Sequence, residues 1–391
     1  MRAAARVGGA ALVWVGSFAA LRLSFLAPEE CPAVTLPSLD TAALAAGEWI
    51  ERGQGPDGRY VYEYDRADDQ IIPGYNIVRH AGVTMSLYQL ARAGHPEVLD
   101  AADTGLVEML ANLVPAGDGL AYIEQGAGSA RLGASALMAA ALAQRRDATG
   151  DDQYDDELRG LGRFMVGQIT TGGQMLSDFD LVGGVPLPGL TSKYSTGEAA
   201  WALAQLHNLF PTEGWDASAR QVLDYLATAR DEVEDLDFPP WADQWAAYTL
   251  GELAPSGLDE HHVTYARALA ARFGMLMRSE SQKKGWPLPA DLTTARGAGL
   301  GVWAEGLGGL ANAAKVDDRL ADIRAPLQTR LECGAGIMIE RQQDRADAAR
   351  WPNPSLVEGG WFRADITRMD DQQHSLSGLL AAAGQLEPVA P

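Results

Sequence analysis

The chain has 391 residues, 47% of them hydrophobic, and a formal net charge of −21 from 31 Lys+Arg and 52 Asp+Glu. That is enough apolar material for a large independent core. It is also acidic enough to be repelled by nucleic-acid phosphates and anionic membrane surfaces, which excludes nucleic-acid binding as an expectation.

Residues 1–29 read as a targeting segment. Arg2 and Arg6 precede an uncharged apolar run from Val7 to Leu21, which Arg22 ends and Leu23 to Leu26 extends weakly. Positive residues before a short apolar stretch form an export signal. A run of about fifteen residues is short for a span of about twenty. A cleaved signal peptide, with Ser17-Phe18-Ala19 as a poor cleavage match, and a retained anchor are both open, with the anchor preferred. Either places the body in the cell membrane with an extracytoplasmic domain, or secreted. A buried N-terminal helix is the bland alternative. Only Cys31 and Cys333 are present. They form a disulfide in an exported chain, or are two unrelated thiols. No Cys/His spacing suits a structural metal, so no metal and no cofactor are expected.

From residue 36 to 388 two kinds of helix alternate. Tyr75–Ala93, Arg131–Gln144, Tyr194–Leu209, Trp241–Leu253, Arg296–Ala314 and Asp370–Leu386 are apolar nearly all round and rich in Gly and Ala, the mark of buried helices. Leu39–Arg52, Pro96–Leu113, Gln153–Ile169, Ala217–Arg230, His261–Arg278 and Asp317–Cys333 are amphipathic. Six buried helices inside six half-exposed ones predict an all-α domain, an (α/α)6 toroid of six helical hairpins, with no second domain. Short β-hairpins are confined to loops: Gly58–Tyr64, Gly119–Glu124 and Gly336–Glu340 alternate like strands.

Outer helix, loop, inner helix and short turn, repeated, make all inner helices parallel. Their N-termini, fed by the long loops, meet at one mouth, and long loops on a rigid scaffold carry sites. The mouth receives Tyr75, Asn76, Arg79 and His80; then Glu124 and Arg131; Lys193, Tyr194, Ser195 and Glu198; Trp241, Asp243, Gln244 and Trp245; Arg296; and Trp361, Arg363, Arg368, Asp370, Asp371, Gln373 and His374. Five of the six entrances carry Lys or Arg, and six helix N-termini add partial positive charge, so an anionic ligand such as a uronic acid is favoured. Glu198, Asp243, Asp370 and Asp371 supply the paired carboxylates that glycoside hydrolysis needs, and His80 and His374 are candidate bases. Tyr75, Asn76, Arg79, Arg131, Lys193, Tyr194, Trp241, Arg296, Arg368 and Gln373 are the candidate substrate-binding residues. Against this, Arg79 and Arg368 can simply pair with neighbouring acids. Asp243 and Asp370 sit where an Asp caps a helix, and each Trp or His can be core.

Tyr75-Asn76-Ile77-Val78-Arg79-His80-Ala81-Gly82, Lys193-Tyr194-Ser195-Thr196-Gly197-Glu198 and Arg368-Met369-Asp370-Asp371-Gln372-Gln373-His374-Ser375 resemble motifs of bacterial six-hairpin, glycosidase-like toroids. The layout is similar to the C-terminal toroid of D-glucuronyl C5-epimerases and to uronate-acting lyases and hydrolases. The resemblance implies a carbohydrate-active enzyme of the cell envelope. Its partner would be an oligosaccharide or acidic polysaccharide, altered by hydrolysis, elimination or epimerisation. A non-catalytic glycan- or peptide-binding module, or a scaffold with a purely structural mouth, is the alternative. Membrane contact is expected only through the N-terminal segment.

Overall fold

A computed structural model describes residues 2–25, 27–126, 128–236, 238–284 and 293–386. Residues 387 and 388, the expected end of the domain, lie outside the described residues, as does Leu26. Helix α1 is Arg2–Phe25, and its Leu12, Trp14 and Phe18 are exposed. No described helix is long and apolar enough to cross a membrane.

The outer helices are α2 (Leu36–Arg52), α4 (Leu99–Ala111), α6 (Asp155–Gly167), α8 (Trp215–Thr228), α11 (Glu260–Ser281) and α13 (Arg324–Arg341). The inner ones are α3 (Ile77–Arg92), α5 (Leu132–Thr149), α7 (Ser195–Leu209), α10 (Gln244–Leu253), α12 (Gly297–Val316) and α15 (Met369–Ala383). Short α9 (Arg230–Val233) and α14 (Arg345–Ala348) lie in loops. Each inner helix packs on the next, and α15 returns to α3, so the inner ring closes, with the outer helices packed around it. The expected toroid is therefore the observed fold.

Inner-ring packing depends on small residues. At Gly301 of α12 a Cβ would sit 2.1 Å from the backbone carbon of His374, so only glycine admits α15 this close. Core faces follow the sequence pattern: α5 buries every residue from Leu132 to Arg145, whereas α6 buries only one stripe, including Leu158, Leu161, Phe164 and Met165.

Among the described residues, eight short strands lie in the loops. β1 (Glu63–Asp65) pairs antiparallel with β2 (Gln70–Ile71) and with β8 (Ile366–Arg368), joining the first hairpin's loop to the last. β3 (Leu113–Ala116) pairs with β4 (Leu120–Ile123), as the alternation of Gly119–Glu124 predicts. β5 (Ser129–Arg131), β6 (Asp178–Asp180) and β7 (Val185–Pro186) form a third sheet. Of Gly58–Tyr64 only the last two residues are strand.

The expected strand Gly336–Glu340 is instead the end of α13. Asp317, whose carboxylate accepts the Arg319 amide, opens a 3-10 turn over Asp318–Ile323 that delays the helix. Gly336 is no turn signal. A Cβ there would lie 2.2 Å from the Pro32 carbonyl oxygen, so the glycine makes room for the N-terminal strap.

That strap, residues 27–34, runs against the fifth and sixth hairpins. Cys31 is disulfide-bonded to Cys333. The Glu30 amide donates to the Ser281 carbonyl at 2.8 Å, and Glu29 pairs with Arg330 and, at 3.2 Å, Arg278. The bond closes a loop with a sequence separation of 302, and constraining so long an unfolded loop stabilises by up to about 5 kcal/mol. Cys333→Ser is expected to lower the unfolding free energy by that order, and with it the unfolding midpoint, under non-reducing conditions. An unchanged midpoint would show the tie to be energetically idle.

Candidate active site at the helix-N-terminal mouth

A cavity of about 710 Å³ opens where the six inner helices begin. Every one contributes: Asn76 and Arg79 from the start of α3, Gly133 and Leu137 from α5, Ser195 and Glu198 from α7, Gln244 and Trp245 from α10, Ala298 and Val302 from α12, Asp370, Gln373 and His374 from α15. Arg131, Asp178, Tyr194 and Trp241 form its rim. Asn76 also caps α3, accepting the amides of Val78 and Arg79.

Glu198 dominates the chemistry. It is 6% exposed, and its carboxyl makes no hydrogen bond or ion pair among the described residues. Burial, helped by the nearby Asp243 carboxylate, pushes it up to about 8, so it is a neutral acid at pH 7. Asp370 lines the same cavity from α15. One carboxylate oxygen lies 3.5 Å from Arg79, and the other is buried without a partner. Arg79 also donates to the Tyr62 hydroxyl at 2.9 Å.

One turn beyond Asp370, the His374 Nδ1 lies 2.9 Å from the Glu305 carboxylate. Glu305 is fully buried on α12, one turn past Gly301, so the glycine contact that seats α15 also sets this pair. Burial disfavours the imidazolium, but Glu305 outweighs it and holds His374 above its usual range. Burial likewise raises Glu305. Sequence reading passed over Glu305, although it is the single acid in the otherwise apolar middle of its helix.

Several expected residues belong to the scaffold instead. Asp243 is 1% exposed, caps α10 through the amides of Trp245 (2.9 Å) and Ala246 (3.2 Å), and is ion-paired with the fully buried Arg230. It is not free for catalysis. Asp371 is 2% exposed and accepts from Arg296 (2.8 Å), the Ala298 amide (3.0 Å) and the Arg368 amide (3.1 Å), clamping the starts of α12 and α15 together. His80 is fully buried, its Nε2 2.8 Å from the Gly105 carbonyl and its Nδ1 2.5 Å from the Tyr75 hydroxyl. Burial lowers it, so it is a neutral core histidine and Tyr75 is its partner, both off the cavity wall. Trp361 is likewise core.

The expected cationic mouth is largely compensated. Arg296 is held by Asp371, and Arg368 faces Glu63, its cross-strand neighbour, at 3.4 Å. Neither lines the cavity. Arg131 stands opposite Asp178 in the β5–β6 register and lies 3.5 Å from it while remaining 63% exposed. Lys193 sits outside the lining with its ammonium 4.4 Å from the Trp241 ring centre, a cation–π contact at the rim. The most solvent-exposed positive charges at the rim are therefore Arg131, still paired with Asp178, and Lys193.

No family model matches the chain, and no curated protein matches it. Solved structures of the same architecture do. The GH76A α-1,6-mannanase of Salegentibacter sp. superposes with a TM-score of 0.57 at 12% identity, covering 89% of this chain and 100% of that one. The cellobiose 2-epimerase of Spirochaeta thermophila gives 0.57 at 15% identity, covering 90% and 98%. A sugar epimerase from a ruminal bacterium gives 0.59 at 11%, covering 91% and 100%. The chain shares the six-hairpin toroid fold with these proteins.

Proposed function

We propose that the chain is a carbohydrate-active enzyme that cleaves a glycosidic bond of an oligosaccharide held in the mouth. Glu198 would be the general acid and Asp370 the second carboxyl group. The observation that carries this reading is the buried, unpartnered Glu198, kept protonated at neutral pH on the wall of an open cavity. Glycoside hydrolysis needs one such neutral acid and one further carboxyl across the sugar. Trp241 and Tyr194 offer flat rings at the rim, their centres 5.5 Å apart. Fold neighbours support the substrate class: an inactive variant of the Salegentibacter mannanase is known in complex with α-1,6-mannotriose.

A second reading is epimerisation, favoured by the His374–Glu305 pair beside the same cavity, which is suited to moving a proton at a sugar carbon. A uronate-bearing glycan is the finer form of either reading, and it rests on Arg131 and Lys193 at the rim. An extracytoplasmic or envelope location, with α1 as anchor or export signal, is supported by the disulfide and by the exposed apolar side chains of α1.

The test incubates the full chain with neutral and uronate-containing oligosaccharides and follows products by reducing-end assay and NMR. New reducing ends support hydrolysis, and an altered sugar without them supports epimerisation. Arg131→Ala is expected to raise KM for uronate oligosaccharides about tenfold, the effect of losing one charge-assisted hydrogen bond. Equal loss on neutral ones would remove the acidic preference. Saturable binding without turnover of any sugar would make the protein a glycan-binding module.

A further inference from the structure

The barrel has a second end. Where the inner helices finish, another cavity of about 420 Å³ opens, and again all six contribute. Tyr248 stacks on Trp201 with ring centres 4.9 Å apart, Trp201 on Trp245 at 5.4 Å, and Trp245 approaches His374 at 6.1 Å. These rings stand between the two spaces: Trp245 and His374 line the upper one, Trp201 and Tyr248 the lower.

Its polar groups are built and incompletely used. Gln144 lines the cavity, is 3% exposed, and donates from Nε2 to the Oε1 of Gln205 at 2.6 Å. The Gln144 Oε1 and the Gln205 Nε2 are buried without partners. Exchanging the oxygen and nitrogen of both amides leaves the same count, one acceptor and one donor unpaired. A buried amide group without a partner costs about 1–3 kcal/mol, and Gln144, the one of the two that lines the cavity, marks a place where something else supplies the hydrogen bond. Asn312 and Gln385, bonded to each other at 2.7 Å, add amides at the rim, and Gln89 accepts from Ser377 at 2.7 Å on the opposite side. Tyr248, backed by Trp201, offers a flat apolar face in the same space.

The electrostatics differ from those of the mouth. The C-terminal ends of six helices point here and carry partial negative charge. Arg92 and Glu252 also line the cavity with opposite formal charges, and Arg92 lies 3.4 Å from Asp147, so no uncompensated cation invites an anion and hydroxyl donors are welcomed. We infer that this cavity is a second binding site, for a small neutral polyhydroxylated molecule of monosaccharide size. Ring hydroxyls bond to the Gln144 and Asn312 amides, and a sugar C–H face lies on Tyr248. The inference stands apart from any reaction at the mouth.

Saturation-transfer NMR on the full chain with D-glucose and D-mannose, and with D-glucuronate as the charged control, tests it. Three variants assign the signal. Asn312→Trp fills the lower cavity from its exposed rim. Val302→Trp fills the upper one. Gln144→Leu removes the unpaired amide. Saturable binding of the neutral sugars, kept in Val302→Trp and weakened about tenfold or more in both Asn312→Trp and Gln144→Leu, supports the site. Gln144→Leu also leaves the buried Gln205 Oε1 without its donor, so a modest fall in melting temperature is expected, and a cooperative thermal transition retained in this variant separates lost binding from lost folding. Four results overturn the inference: no saturable binding, loss in Val302→Trp alone, indifference to both lower-cavity variants, or tighter binding of glucuronate than of glucose through the lower cavity. The first would mean that the cavity holds only water.

Discussion

Glu198→Gln folds normally and loses the sugar chemistry by about 10²- to 10⁴-fold, the span of a single positioned general acid. Glutamine keeps the shape and the neutral charge that the native carboxyl already has at pH 7, so ligand binding is expected to survive while turnover does not. The same substitution has a pH signature. In the folded chain Glu198 is pushed up to about 8, whereas in the unfolded chain it titrates near the ordinary 4.5. Its folded value is raised, so the stability it contributes is complete below about 4.5 and is lost progressively as pH rises through about 8. The total is on the order of 5 kcal/mol. The wild-type protein should therefore lose stability across that window and Glu198→Gln should not, giving a variant more stable than wild type at pH 8.5. Denaturant melts at pH 5 and 8.5 measure this. Parallel pH profiles of the two proteins would mean that Glu198 is ionised in the folded state, and the acid assignment would fail with them.

Asp243→Ala does the opposite, removing stability before chemistry. The carboxylate neutralises Arg230, which is 0% exposed, and also caps α10. Truncating one partner of a buried pair leaves an unmatched charge and costs about 3–5 kcal/mol. The lost cap adds about 1 kcal/mol. For a domain of this size that lowers the melting temperature by about 5 °C. Arg230→Met combined with Asp243→Asn should recover part of it, because the charge goes with its partner. Calorimetry on the wild type and the two variants decides the matter. If Asp243→Ala melts like wild type, the pair carries no stability and a catalytic role for Asp243 reopens.

The toroid was legible because burial class writes itself into helical periodicity. Helices such as α5, apolar all round, could only be inner, and striped ones such as α6 could only be outer. Parallel inner helices then placed the mouth. What periodicity cannot show is who stands opposite whom. Arg230 lies in a loop helix 13 residues before Asp243, and nothing local announces that the two meet. Glu63 neutralises Arg368, and Asp178 faces Arg131, only through strand register. Counting mouth arginines without their partners therefore overstated the positive charge. His80 looked like a base because its motif sits at an entrance, yet the helical turn carries it into the core against Gly105. Gly336 looked like a strand boundary because the strap it accommodates comes from the other end of the chain.

The Cys31–Cys333 bond has a consequence for resistance to proteolysis. Because it joins the strap to the last outer helix, the first five hairpins form one covalent circle. A protease that cuts a single mouth loop, such as the exposed stretch around Val182, opens that circle at one point but releases no fragment. The two new ends stay held by the rest of the ring, and the nicked molecule can remain whole. Gel migration under reducing and non-reducing conditions would report one band becoming two only after the thiols are freed.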